Sequence, residues 1–591
     1  MGAALSGGGR WRGLLVALAS ALLVATACTT PPSGASPTTG ASASASAVAR
    51  GGGGTLHILY WQAPTILNTH KAQGTKDYDA GGLILEPLAK FGPDAKPVPF
   101  LASEIPTLQN GGIAADLKSI TWKLKQNVKW SDGTDFTADD VVFTWQYVAD
   151  EKTAASDSET VLGVSKVEAV DKNTVKVSFT DPNPNPYQIF VTGLGNIIQK
   201  KQFQSCIGAA AETCAENNKP VGTGPYKLVD FKPGDVVTYT INDSYRDPGK
   251  PFFKDVQIKG VADAATAARS VCQAGDSDYG WNMQIEWSIL SQIVSGGKCV
   301  MVTHDSPNVE RILVNRADPS ASLGDKRSEP TTQHPFLSDL NVRKALAMAI
   351  DRKTLATQLY NETGKATCNI VTAPAEVNSP NTASADICQF DATKAGQLLD
   401  QAGWTKAADG KRAKGGKQMV INYLTSTNDL RQKEQAIVKQ NWEALGITVN
   451  LKNVPSSVFF SSDAGNPDTA AHMYYDVEMY TNGSSDPDQQ NYLSGWLCNQ
   501  IAQKSNQWKG NNYERYCSTQ YDNLFAQYKK ELDKTKRSQL AIQLNDMLVN
   551  DVVIIPLVAR AFPVASASKD LKGLNGTPWE SDLWNIQEWY K

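Results

Sequence analysis

Apolar and polar positions alternate with different periods along this chain, and each change of period marks an element. Thr55-Leu56-His57-Ile58-Leu59-Tyr60 reads as a strand, and Thr121-Trp122-Lys123-Leu124-Lys125 alternates with the period of two that a half-buried strand requires. Ser131-Asp132-Gly133-Thr134 reads as a turn. Thr137 then predicts a helix start, because Asp140 three residues on completes a box satisfying free backbone N–H groups; Val141, Val142, Trp145 and Val148 supply its apolar face. Helical spacing recurs at Val342, Ala345, Leu346, Ala349 and Ile350. It recurs again at Ala395, Leu398, Leu399 and Ala402, with Asp391 as cap and Gly403 as stop. Residues 405–417, rich in Lys, Arg and Gly, read as an exposed basic loop, and 317–335 also reads as loop. Strands and helices mix without a strict βαβα order and without a solenoid repeat, so the expected class is α/β.

The N-terminal pattern differs. Arg10 and Arg12 precede an apolar run from Gly13 to Val24, then small residues at 25–27, then Cys28 and a Ser/Ala/Thr/Pro/Gly tract ending at Gly54. A basic start, a short apolar stretch and small residues make an export signal. The run is shorter than the ~20 apolar residues a spanning helix needs. A cysteine at the cut site before a polar tract resembles a bacterial lipobox. The expectation is a signal over 1–27, a lipid on Cys28, a flexible tether over 28–54, and an extracytoplasmic protein anchored to the membrane rather than integral to it.

Length changes the picture by requiring more than one core. The chain has 591 residues, and one core supports about 250–300. Hydrophobic residues at 41% and charged residues at 20% fit a soluble globular protein. The net charge of −3 carries no nucleic-acid footprint. Beyond Cys28, an even set remains: Cys206, Cys214, Cys272, Cys299, Cys368, Cys388, Cys498 and Cys517. In an exported chain this suggests disulfides; sequence neighbours make natural pairs, with the connectivity left open. No C-x-x-C pair occurs and the five histidines are scattered, so no metal or other cofactor is expected.

Catalytic signatures are missing from the sequence. There is no P-loop, no G-x-S-x-G elbow and no H-E-x-x-H. Gly222-Thr223-Gly224-Pro225 reads as a tight turn rather than a dinucleotide loop. Asp486-Pro487-Asp488 could pair carboxylates for acid–base work, but reads more simply as a solvated turn. The 14 tryptophans and 19 tyrosines are more suggestive. Trp61, Trp281, Trp287, Trp496 and Trp508 sit in polar or turn contexts, where a flat ring can line a ligand cleft. With no nucleophile–base constellation, a secreted hydrolase is disfavoured and no enzyme is expected.

Five blocks in order then carry a resemblance: residues 125–145 (Lys-Gln-Asn-Val-Lys-Trp-Ser-Asp-Gly-Thr-Asp-Phe-Thr and on to Trp145), 219–228, 341–352, 392–404, and 476–480 leading to Asp486-Pro487-Asp488. The chain resembles the oligopeptide/dipeptide family (family 5) of extracellular solute-binding proteins of ABC importers. The resemblance implies two α/β lobes joined by a hinge: a first lobe over 55–305 with a domain inserted at about 86–214, a second over 306–554, and a return to the first over 555–591, near Ile555-Pro556-Leu557. It implies a monomer that captures oligopeptides or dipeptides, or in some members cello- or xylo-type oligosaccharides, and delivers them to a membrane permease served by a separate ATPase. Peptide-binding members hold the α-amino group with an aspartate four residues before the proline of the fifth block. Here that position is Gly483. The expected ligand-binding residues are Tyr480, Thr481, Asn482, Gly483 and Asp486, with Trp61 and Trp496 as walls.

Overall fold

Thr55–Tyr60 is a strand whose Leu56, Ile58, Leu59 and Tyr60 are all buried. It pairs in parallel on both sides, with Tyr279–Trp281 and Asp255–Gly260, which is why apolar residues occupy both of its faces. It is the middle of a seven-stranded sheet, in the order Cys299–Thr303, Val564–Ser568, Tyr279–Trp281, Thr55–Tyr60, Asp255–Gly260, Val236–Ile241, Tyr226–Lys232. A second, six-stranded sheet runs Gly364–Ala366, Ile554–Arg560, Val309–Val314, Val477–Asn482, Val420–Ser426, Thr448–Val454. These positions come from a computed structural model that describes residues 49–461, 463–562 and 564–591. The export segment, Cys28 and the tether up to residue 48 lie outside the described residues.

The chain leaves the first sheet after Thr303, enters the second at Val309, and regains the first at Val564. Ile555-Pro556-Leu557 therefore run inside the second sheet, and the return falls between Arg560 and Val564, later than the resemblance implies. Between the first and second strands of the first sheet lies a separate three-stranded antiparallel sheet, Ser119–Lys123, Thr174–Phe179 and Val164–Asp171. The helix Ala138–Ala149 packs on it, and the Asp140 carboxylate accepts from the Thr137 N–H at 2.9 Å, closing the predicted box.

The helices Leu340–Met348 and Ala392–Gln401 form where their spacing predicts. Asp391 caps the second by accepting from the Lys394 N–H, and Gly403 stops it at φ +81°, a left-handed turn that glycine takes without steric cost. Residues 405–417 are not a loop. They build a small sheet from Thr405–Lys406, Arg412–Lys414 and Lys417–Gln418. The reason is Arg412, which is buried and donates to the Asp400 carboxylate at 2.6 Å and the Leu445 carbonyl at 2.7 Å. A cation read as solvated instead pins the segment to the core.

Disulfides join Cys206–Cys214, Cys272–Cys299, Cys368–Cys388 and Cys498–Cys517. Gly222 and Gly224 sit against the Ile84 carbonyl, to which the Gly224 N–H donates at 2.8 Å. A Cβ on Gly222 would lie 1.8 Å from that oxygen, so close backbone approach explains this glycine. Among the described residues no helix is long and apolar enough to cross a membrane, and no group of three metal-ligating side chains occurs.

Candidate functional site

Val309–Val314 is wholly buried, yet it carries Glu310 and Arg311. Two opposite charges inside a central strand need local partners, because an isolated buried charge is too costly to keep. The register supplies them: Glu310 faces Thr481 and Arg311 faces Tyr480 on the neighbouring strand Val477–Asn482. Successive side chains point to opposite faces of a strand, so the two charges meet different surroundings.

On Glu310's side, Arg431 donates Nε to its carboxylate at 2.8 Å, and Arg560 approaches at 3.5 Å. The Thr481 hydroxyl also donates to Glu310 and accepts from Arg560 Nη1 at 2.7 Å. Burial opposes ionisation of Glu310, but Arg431 and Arg560 overcome it and hold the carboxyl below its ordinary range. Arg560 reaches beyond its own sheet and donates Nη2 to the Asn282 side-chain oxygen at 3.2 Å, just after a strand of the first sheet.

On the other side, the Arg311 guanidinium lies 5.5 Å from the Tyr480 ring, 5.7 Å from Tyr492 and 5.5 Å from Trp496. Its Nη1 donates to the Tyr492 hydroxyl and its Nε has no hydrogen-bond partner. An aromatic box of this kind stabilises a desolvated cation. Tyr480 is fixed in turn by Phe459 and Phe460, edge-on at 6.0 and 5.8 Å.

Residues from both sides reach a cavity of about 340 Å³ between the two main sheets, within the roughly 300–1,000 Å³ of small-molecule sites. Tyr480, Thr481, Asn482, Gly483 and Trp496 line it together, whereas Asp486 and Trp61 do not. Asp486 is buried in a bridge: its carboxylate accepts from the Asn185 side chain at 3.1 Å and the Asp488 N–H at 2.8 Å. Burial, and then Asp488, push its carboxyl up to about 7. Asp486-Pro487-Asp488 is accordingly a packed turn rather than a solvated one, with Asp488 paired to Arg537 at 2.7 Å. Trp61 stacks behind Trp281 at 6.3 Å and donates Nε1 to the Asn282 carbonyl; Trp281 is the ring that reaches the cavity.

Gly483 is tight rather than open. A Cβ there would lie 2.4 Å from the Pro307 carbonyl oxygen, so any side chain requires a backbone shift. An aspartate at that position does not fit this backbone.

The opposite wall comes from the first sheet and the segments packed on it. Asp79 is buried and accepts from the Tyr60 hydroxyl at 2.7 Å. Burial pushes it up to about 7. Glu580 accepts from the Phe91 N–H at 2.9 Å, and Glu159 from the Asn511 side chain at 3.1 Å; burial raises both to about 8. Sequence reasoning missed these carboxyls and Arg311. The one available signal was a charged pair, Glu310-Arg311, inside an otherwise apolar strand.

The walls also touch at the rim. Gln490 donates to the Gln188 side chain at 2.5 Å, Asn491 to the Gln188 carbonyl at 3.3 Å, and Lys433 pairs with Glu286 at 2.5 Å. These bonds join the second sheet's connections to Gln188 of the inserted segment and to Glu286, which follows a strand of the first sheet.

Residues 96–504 match a family model described as bacterial extracellular solute-binding proteins, family 5 Middle. The oligopeptide-binding protein AppA of Bacillus subtilis is 25% identical over 548 residues, covering 91% of this chain and 92% of AppA. The periplasmic oligopeptide-binding protein OppA of Salmonella typhimurium is 25% identical over 514 residues, covering 83% and 84%. The solved structure of Bacillus subtilis AppA with a nonapeptide superposes with a TM-score of 0.77 at 23% identity, covering 92% of this chain and 99% of that one. The fold is the two-lobed α/β fold of those binding proteins.

Proposed function

Since the chain belongs to family 5 of the bacterial extracellular solute-binding proteins, we propose that it is the monomeric binding component of an ABC importer, closing two lobes on a short peptide and passing it unchanged to a membrane permease. The first lobe spans 55–303 with its insertion, and takes back the chain from 564; the second spans 309–560. The observation that carries this reading is the cavity of about 340 Å³, whose walls belong to different sheets and are bridged by hydrogen bonds between them. A cavity of that size suits a short oligomer. Its charged walls suit a solute with ionic ends better than a neutral sugar, and the peptide-binding relatives support the same class.

Tyr480, Thr481, Asn482, Gly483 and Trp496 are the proposed contacts among those foreseen in the sequence. Part of the binding free energy drives closure, so affinity reflects the difference between contacts made and lobes moved. Cys28 is the proposed lipid site; a Cys28→Ala protein is released into the medium, and retention on the cell contradicts the anchor. The function itself is tested by thermal denaturation against peptide pools and β-glucan oligomers. Peptides raise Tm and are recovered intact. Stabilisation by sugars alone, or consumption of the peptide, rules this function out.

A further inference from the structure

The charged residues that line the cavity are sorted by wall. From the second sheet and its connections come Arg311, Arg431, Arg560 and Lys509, with no carboxylate among them. From the first come Asp79, Glu159 and Glu580, with Lys90 as the one cation. Most of these have partners in the protein. Arg431 and Arg560 share Glu310, Glu159 accepts from Asn511, and Glu580 accepts from Phe91.

Two do not have their bonding capacity filled. Arg311 is 2% exposed, forms no ion pair among the described residues and leaves Nε without a partner; the nearby Glu514 is itself buried, and burial pushes its carboxyl up toward the neutral form despite Arg311. Asp79 is fully buried, and its Oδ1 has no partner while Oδ2 takes the Tyr60 hydroxyl. A guanidinium stays charged at any working pH, and a buried unpaired charge or orphaned carboxyl oxygen carries a desolvation cost. A solute that brings a carboxylate to Arg311 and an ammonium to Asp79 removes both costs at once. Gly483, pressed against Pro307, offers no side chain to compete for the cationic end.

We propose that the solute is a zwitterion bound in one direction, its carboxylate on Arg311 in the second lobe and its ammonium on Asp79 in the first. Closure then brings the two receptor groups onto opposite ends of one molecule, so ligand charge itself favours the closed form. This orientation rests on the peptide reading and deepens it.

The test uses three pools of tripeptides: free at both ends, N-acetylated, and C-amidated. With the wild-type protein, blocking either end weakens binding at least about 30-fold, the scale of leaving a buried charge unpaired. Arg311→Gln then binds free and C-amidated pools alike while still discriminating against the N-acetylated pool. Asp79→Asn does the reverse. A variant that keeps its full preference for the end assigned to it overturns the orientation. Equal binding of all three pools by the wild type also overturns it, yet leaves the peptide reading standing; binding of none removes both. Should a variant not fold, the wild-type complex with a free tripeptide decides. An ammonium nitrogen within about 3 Å of Asp79 is expected, and an ammonium seated on the second lobe contradicts the proposal.

Discussion

The central strands of the two main sheets, Thr55–Tyr60 and Val309–Val314, are both largely buried, but they manage polarity differently. The first keeps its core positions apolar and uses the Tyr60 hydroxyl to hold Asp79. The second places an acid and a base side by side in the sheet. On the first wall burial drives carboxyls toward their neutral forms, with Asp79 at about 7 and Glu159 and Glu580 at about 8. On the second the charges persist, because Glu310 lies between two arginines and Arg311 sits in an aromatic box. One wall adapts by titrating, the other by pairing.

The largest expected effect breaks the pairing wall. Glu310→Gln leaves Arg431 and Arg560 buried without their shared carboxylate, and costs about 3–5 kcal/mol. Urea denaturation measures this, and a loss under about 1 kcal/mol would show the network to be dispensable.

A smaller effect concerns the titrating wall. The folded-state values of its Asp79, Glu159 and Glu580, and of Asp486 behind the other wall, all lie above those of the unfolded chain. The folded protein therefore holds more protons than the unfolded one near neutrality, and stability falls as pH rises through this range. Buried bases work the other way: burial lowers His304, Lys90, Lys125 and Lys529, and takes His472 to about 4 and Lys509 to about 8. The two histidines act below their ordinary 6.5, and Lys509 acts mainly above 8. Between about pH 6.5 and 8 the carboxyls dominate, so Tm of the ligand-free protein declines across that window. A flat or rising Tm would contradict the burial of these groups.

Much of the fold was legible because it rests on local patterns. The box at Thr137 and Asp140, the cap at Asp391 and the stop at Gly403 are short-range devices whose chemistry is complete within a few residues. The segment 405–417 was misread because Arg412's partners, Asp400 and Leu445, belong to elements on either side of it in sequence. The same limit shaped the site. The run 480–483 lies on one strand end and could be read together. Asp79, Arg311 and Glu580 come from distant stretches and meet only through the sheet order. Asp486 and Trp61 fall just behind the cavity because a turn and a stacked ring set their direction, which composition does not encode.

The central claim is that the lobes shut on a solute, and the distance across the rim reports it directly. Asp181 of the inserted segment and Lys530 of the proposed second lobe face each other at 3.6 Å and are 48% and 61% exposed, so spin labels on cysteines at these sites leave the core intact. Pulsed double electron–electron resonance is predicted to give long, broad distances without peptide and a short, narrow distribution with saturating peptide. The same distribution in both states would contradict a closing clamp.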